Sequence, residues 1–403
     1  MIKIEKIKDC RICGSSDLLK IISLPNMPFT DEFVKKDKLG TEFLSEVEIG
    51  VCKACGSTQN LNNTDMDDYY QDYTYTVQSS NFAMKFMSTL AKKIKTNYFE
   101  KYDKPKILEI GSGSGEQLEE FKKRGFDVVG IEPSQKLSEY ANDNGIKTIT
   151  DFFDENSREN IVNNLGLMDS VVTSYTFDHI PKINDVLKNI NFIMNDGGVL
   201  IIEVHDLDLI TDRNEYCLFE HEHYTYLNRE TMCQFLSNNG FELITYDLLD
   251  ESEKRANSLL AVAKKNNNIS KYHVDVNFQV NKIANLNLNI LKSIERIESF
   301  IEKNKSKKIV AYGAGGRGIM TLSAISNYDK ISFIVDKNPK DKNIYAPKTN
   351  LPVYHIDKLT KFKADIILVF SFGYFNEIVN ELTSEMEYNE SNFVSLLSLI
   401  KND

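Results

Sequence analysis

Four sets of residues in this chain have types and spacings suited to chemistry. Cys10 and Cys13, then Cys52 and Cys55, form two CxxC pairs, each followed by a glycine, Gly14 or Gly56. Two such knuckles supply four thiolates, the donor set of a closed, tetrahedral structural zinc site. Gly111, Gly113 and Gly115 directly follow the apolar run Ile107, Leu108 and Ile110, and Glu132 comes later at the end of a second apolar run. Glycine lets a backbone turn sharply and lets a ligand approach without a Cβ in the way. An acid about twenty residues beyond such a turn can accept hydrogen bonds from a ribose. Glu220, His221, Glu222 and His223 place two imidazoles beside two carboxylates. A carboxylate can set an imidazole's tautomer and raise its basicity, so this segment suits proton transfer. Gly313, Gly315 and Gly318 form a GxGxxG turn with Asp336 beyond it, and Arg317 adds a cation at the start of the following helix. That geometry serves any pyrophosphate at a helix N-terminus.

Each set has a plainer alternative. A redox CxxC usually occurs once, beside a thioredoxin-like βαβ pattern that is missing here. The turn at Gly111 lacks the GK[ST] of a phosphate-cradling loop, and the HEH run lacks the helical HExxH spacing of a catalytic zinc site. Glu220 to His223 would be a solvated charge run but for Phe219, Tyr224 and Tyr226 around it, which favour a partly desolvated pocket. If the segment is extended, His221 and His223 share one face, and Glu220 and Glu222 the other.

The elements that must position these residues alternate as an α/β chain. Residues 1–70 read as a zinc-binding module, too small for much core of its own, so metal ligation would supply folding energy. Residues 71–265 read as a doubly wound Rossmann-like domain. Its helix spans Phe82 to Phe99, and its strands are centred on Ile107–Ile110, Val128–Ile131, Lys147–Thr150, Met168–Ser174 and Gly198–Val204. Ligands in open α/β sheets lie outside the carboxyl ends of the strands, so Gly111, Glu132, Ser174 and His205 should converge there. Pro133 follows Glu132, Asp151 and Phe152 follow the third strand, and an acid with an aromatic at that point can hold an adenine. His179 lies just past the fourth strand, as either a loop-ordering group or a ligand contact. Before the domain comes a tyrosine-dense stretch with Tyr69, Tyr70, Tyr73 and Tyr75, then Ser79 and Ser80. After it, a polar linker leads to an amphipathic helix over Val276–Lys303. Residues 266–403 then repeat strand, glycine turn, helix and strand as a second Rossmann-like α/β domain, with Tyr374 and Asn376 on its ligand edge.

The 403 residues, 41% hydrophobic and 27% charged, suffice for two or three domains with cores. A net charge of −11 argues against a nucleic-acid surface. No apolar run reaches membrane-spanning length and no secretory leader is recognisable at Met1, so the reading is cytoplasmic, without a membrane partner.

The turn at Gly111 with Glu132 resembles motif I of class I S-adenosylmethionine methyltransferases. The four-cysteine knuckles, this core and the C-terminal turn at Gly313, in that order, resemble the sugar C-methyltransferase family over nearly the whole chain. The resemblance implies structural zinc, S-adenosylmethionine in the middle domain, and a nucleotide-linked 4-keto-deoxysugar between domains, methylated at C3. The cofactor contacts would be Gly111, Gly113, Gly115, Glu132, Pro133, Asp151, Phe152, Ser174 and His179. His223 matches the family's base and Glu222 its orienting acid, while Glu220 stands where the family has tyrosine. Tyr75 or Tyr73 would hold the enolate oxygen. Ser79, Ser80, His221, Arg317, Gly313, Gly315, Tyr374 and Asn376 would contact the sugar nucleotide. The expected assembly is a monomer or weak homo-oligomer. The competing readings are O-methylation of a sugar nucleotide, an NAD-dependent sugar-nucleotide oxidoreductase or epimerase using the turn at Gly313, and a non-catalytic scaffold.

Overall fold

The computed structural model describes residues 3–71, 73 and 80–401. Tyr75 and Ser79 lie outside the described residues.

The central sheet follows from short β-branched runs that are buried on both faces. Strands Lys106–Ile110, Asp127–Ile131 and Thr148–Ile149 lie side by side and parallel in one direction across the sheet. On the other side of Lys106–Ile110 lie Met168–Ser174 and Met194–Val204, also parallel. Leu259–Lys265 and Phe241–Thr245 close that edge in antiparallel pairing. The chain therefore reverses its direction of travel between Lys106–Ile110 and Met168–Ser174, and a crevice opens at their carboxyl ends. Helix Asn81–Tyr98 packs on this sheet through Phe86, Leu90 and Ile94, at four-residue intervals on one stripe. Its first turn is capped by Ser80, whose hydroxyl accepts from the Ala83 amide at 3.2 Å.

The second sheet is built around Ile309–Tyr312, flanked by parallel strands Ile331–Asp336 and Ile366–Val369. Its far edge is Val34–Lys35, contributed by the cysteine-bearing segment. The third sheet pairs Leu18–Pro28 with Leu44–Cys52 and Thr58–Asn60, and its last strand is Thr225–Tyr226, from the segment between central-sheet strands Met194–Val204 and Phe241–Thr245. Strand exchange of this kind leaves no signal in local periodicity. Helix Val276–Lys303 joins the bodies: Ile283, Leu286, Ile290, Ile297 and Ile301 form a buried stripe within a core that includes Ile22, Val47, Ile319 and Leu396. Each such aliphatic contributes about 1.5–3 kcal/mol on burial, so the stripe holds the bodies together more firmly than any surface pair. Among the described residues no helix is long and apolar enough to cross a membrane.

Candidate active site and metal centre

The cysteine knuckles have matching backbones. Gly14 (φ 73°) and Gly56 (φ 72°) are left-handed, and their amides donate to the carbonyls of Cys10 (2.9 Å) and Cys52 (2.8 Å). This turn directs Cys10 and Cys13, and Cys52 and Cys55, at one point. All four sulfurs lie within 4.8 Å of one another, with Cys10 to Cys55 at 3.7 Å and Cys13 to Cys52 at 3.6 Å. Four thiolates bound at about 2.3 Å to a tetrahedral zinc ion lie about 3.8 Å apart, so the donor set fits. Gln59 Nε2 donates to Cys10 Sγ at 3.2 Å and Ser57 Oγ is 3.0 Å from Cys55 Sγ, polar partners suited to thiolates.

The glycine turn at the crevice is shaped by close approach. Gly111 has φ 69°, and a Cβ there would meet the Thr176 hydroxyl at 2.4 Å. Gly113 (φ 52°) faces open space. Glu132 spans the turn, accepting from the Gly113 amide through Oε2 and the Ser134 amide through Oε1, both at 2.9 Å. Burial raises the Glu132 pKa while these two amides oppose the shift. A cavity of about 1210 Å³ opens above, lined by Gly111, Gly113, Glu132, Pro133, Asp151, Phe152, Ser174, His179 and Tyr73. Gly115 (φ 90°) sits behind the turn, packed near Ile146. The cavity also takes in Glu109, Gln117 and Arg255, which sequence reasoning passed over.

Beside the cavity three imidazoles and a carboxylate form a cluster, with His223 and Asp178 buried and His179 and His205 half-buried. The ring of His223 lies 4.6 Å from that of His179 and 4.7 Å from that of His205. His223 Nδ1 is 2.9 Å from the Leu218 carbonyl. A carbonyl can only accept, so Nδ1 carries the proton and Nε2 of a neutral ring keeps its lone pair. His205 Nδ1 lies 2.8 Å from Asp178 Oδ2 and is a donor for the same reason. Tyr70 Oη is 3.0 Å from His179 Nδ1. Burial lowers His205 to about 4 and His179 to about 3, so both are neutral at pH 7. Burial works against the charge of Asp178, but the His205 hydrogen bond and neighbouring imidazoles hold its carboxyl well below the usual range. Asp178 had no place in the sequence reading; only the fold carries it to His205, on the next strand's end.

The segment Glu220–His223 is a turn, with the His223 amide donating to the Glu220 carbonyl at 3.4 Å, rather than an extended strand. Its two histidines therefore diverge. His221 is buried between Phe29 and Phe43 and its Nε2 donates to the Met27 carbonyl at 2.9 Å. The Leu218 carbonyl occupies His223 Nδ1, and the Glu222 carboxyl lies close to both His223 and the carboxyl of Glu220. Burial pushes both carboxyls up, and Glu222 keeps the proton that Glu220 accepts. Glu220 also accepts from Thr30 Oγ1 at 3.2 Å and rests on the first turn of helix Gly316–Ala324, where a Cβ on Gly316 would come within 2.5 Å of its Oε1.

Around the second glycine turn, Gly313 has φ 107° and Gly315 faces open space. Asp336 accepts from the Ala314 and Asn338 amides, as Glu132 does across the first turn. Arg317 reaches Glu215 Oε2 at 3.7 Å and lies 5.3 Å from the Phe372 ring centre. Tyr374 and Asn376 are exposed beyond it. Ser80 serves the helix cap described above. Tyr73 lies at the cavity, with its carbonyl accepting from Ser134 Oγ at 2.7 Å.

A seven-stranded sheet with an antiparallel closing hairpin, a glycine turn and an acid at its crevice defines a class I S-adenosylmethionine methyltransferase. Three family models match the chain in succession: a zinc binding domain over residues 10–70, a methyltransferase domain over 82–246, and a C-methyltransferase C-terminal domain over 250–397. The chain is 23% identical over 400 residues to C-methyltransferase NovU of Streptomyces niveus, covering 96% of this chain and 94% of that one. A shorter match, 29% over 113 residues, links 27% of the chain to 48% of an uncharacterized methyltransferase of Alkaliphilus oremlandii. Among solved structures, the plantazolicin methyltransferase BpumL in complex with SAH overlaps 50% of this chain and 89% of its own, with 16% identity and a TM-score of 0.37. The three models together span residues 10–397, and with the likeness to NovU they support a C-methyltransferase that carries an N-terminal zinc module. It is an enzyme that uses S-adenosylmethionine, with zinc as its structural metal. The C-methyltransferase model covers the Gly313 turn and supports the carbon-methylation reading over the O-methylation, oxidoreductase and scaffold alternatives.

Proposed function

We propose that the acceptor is a nucleotide-linked 4-keto-deoxysugar and that the methyl group is added at C3, through an enolate formed with His223 as base. The observation that carries this reading is the anchored tautomer of His223, a buried ring whose Nδ1 is committed to Leu218 and whose Nε2 keeps its lone pair within the imidazole cluster beside the cavity. A proton next to a ketone is only weakly acidic, so its removal needs a positioned base. His223 Nε2 takes the C3 proton, leaving the electron pair in the enolate, and the 4-oxygen gains negative charge. A hydroxyl from Tyr70, Tyr73 or Tyr75 donates to that oxygen, an interaction worth a few kcal/mol in a preorganised site. The bound S-adenosylmethionine supplies an electrophilic methyl on a sulfonium leaving group. Gly111, Gly113 and Glu132 orient the donor, with Asp151 and Phe152 at its adenine end, and orientation lowers the barrier without new bonds. Glu220, Thr30 and the turn at Gly316 form the wall between the bodies against which the sugar nucleotide would lie, with Arg317, Tyr374 and Asn376 further out.

Incubation of a 4-ketosugar nucleotide with the enzyme in D2O, without methyl donor, tests the reading. C3–H should exchange in the wild type and not in His223→Ala, while donor affinity stays within a few-fold. Turnover by His223→Ala, or no wild-type exchange, removes the enolate route.

A further inference from the structure

Asp178 follows strand Met168–Ser174, His205 follows strand Met194–Val204, and His223 lies in the turn after Phe219. One ligand atom of each nevertheless lies within 4.8 Å of those of the other two. Asp178 Oδ2 and His205 Nδ1 are already 2.8 Å apart. Neighbouring ligands on a zinc ion with bonds of about 2.0–2.1 Å stand about 3 Å apart. Asp178 is 3% exposed, and its other oxygen, Oδ1, is buried without a hydrogen-bond partner. Buried carboxylate oxygens are normally paired, so an unmet one beside two imidazoles marks a place suited to a cation.

The donor set describes that cation. Two imidazole nitrogens with one carboxylate oxygen suit zinc and the neighbouring divalent transition metals, whereas magnesium and calcium take oxygen shells. Three protein ligands leave a fourth position open, unlike the closed four-sulfur centre at the cysteines. The outer contacts are those that orient ligating histidines. The Leu218 carbonyl holds His223 Nδ1 at 2.9 Å, so that ring offers Nε2. His205 can ligate through Nδ1 by carrying its proton on Nε2 instead, a change of tautomer without a change of charge. The His205 ring is flanked by Tyr175 at 4.7 Å and by His223 at 4.7 Å, and its 15% exposure leaves a way in for an ion.

We infer that Asp178, His205 and His223 form a second metal site, for a divalent transition-metal ion of the zinc class, and that an ion held there inhibits the enzyme. The inhibition rests on His223 as the base, because an Nε2 lone pair given to a metal cannot take a proton from carbon. The site itself rests on the three donors alone. It uses one histidine of the Glu220–His223 run and leaves His221 among its aromatic neighbours.

Cobalt titration of the full chain, with zinc already on the cysteines, tests the site. One further equivalent of Co2+ should bind with the visible bands of nitrogen and oxygen ligation, and without the thiolate charge-transfer band that exchange at the cysteines would bring. Asp178→Asn and His205→Gln should each weaken that equivalent by more than about tenfold, while the cysteine-bound zinc stays at one equivalent. In D2O without methyl donor, wild-type C3–H exchange of a 4-ketosugar nucleotide should fall about a hundredfold or more as the site fills, the weight of a general base. Brief chelation should restore it, and Mg2+ should neither bind nor inhibit. No second equivalent on the wild type overturns the site, and that measurement needs no variant to fold. An equivalent that both variants bind as tightly as the wild type also overturns it, as an adventitious ion only. Exchange that persists with the site filled overturns the inhibition. If no exchange occurs before metal is added, the base reading fails first, and distinguishably, because the cobalt bands still decide the site.

Discussion

Asp178 Oδ2 and His205 Nδ1 are 2.8 Å apart, and this bond is the link between a carboxylate on the turn after one strand and an imidazole at the end of the next. It commits the His205 proton to Nδ1 and places a negative charge beside the rings of His179 and His223. A developing imidazolium on His223 is thereby stabilised at short range, where water does not screen it. Asp178→Asn keeps the shape and removes the charge. The expected outcome is a kcat lower by about ten- to a hundredfold, the size of loss seen when the carboxylate partner of a metal-ligating histidine is removed. The pH–rate profile should shift, and donor affinity in a binding assay should remain as in the wild type.

The same cluster makes stability depend on pH. His205 and His179 have folded pKa values of about 4 and about 3, set first by burial, below the 6.5 of an unfolded imidazole. Between these values the unfolded chain binds more protons than the folded one, so stability rises with pH. The contribution is fully present above about pH 6.5 and is lost as pH falls toward 4. Thermal melts from pH 7.5 to 4.5 should show a steady fall in Tm, and His205→Gln should flatten part of that slope.

Gly316 meets Glu220 across the bodies, and an added Cβ would come within 2.5 Å of a carboxylate that Thr30 already holds. Gly316→Ala should cost about 1–3 kcal/mol, as overpacking in a filled interface does. Because the contact is remote from the turn at Gly113, a denaturation series should show the loss while donor affinity stays constant and the acceptor KM rises. Glu220→Ala in the same background should restore most of the stability.

The zinc knuckles also brace the central body. The Cys55 carbonyl accepts from Gln234 Nε2 at 2.7 Å, and a Cβ on Gly56 would strike Val274 at 2.7 Å. Loss of metal should therefore lower the stability of the whole chain. Cys13→Ser, or prolonged chelation, should reduce zinc from one equivalent toward none by elemental analysis. A loss of a few kcal/mol corresponds to a fall in Tm of about 5–15 °C.

At the glycine turn, Gly111→Ala combines a left-handed backbone with a Cβ 2.4 Å from the Thr176 hydroxyl. Donor binding should fall by more than about tenfold, since a few kcal/mol of strain is involved. Pairing it with Thr176→Gly relieves the contact but not the φ, so recovery should be partial.

What the chain alone determined is what local spacing can carry. The strand and glycine patterns around Ile107–Gly115 specify the parallel core, the two CxxC pairs specify a four-sulfur centre, and the three- and four-residue apolar intervals of Val276–Lys303 specify that helix to its last residue. Each depends on neighbours within a few turns of chain. Contacts across long separations were decided only by the tertiary structure. Alternation placed His221 beside His223, but the Leu218 carbonyl and the Glu220 turn divide them and send His221 among Phe29 and Phe43. Val34–Lys35 and Thr225–Tyr226 complete sheets whose other strands lie far away in sequence. Asp178 and Arg255 were silent for the same reason: a single acid or guanidinium carries no period, and its chemistry exists only once folding removes water and supplies the partner, or withholds it.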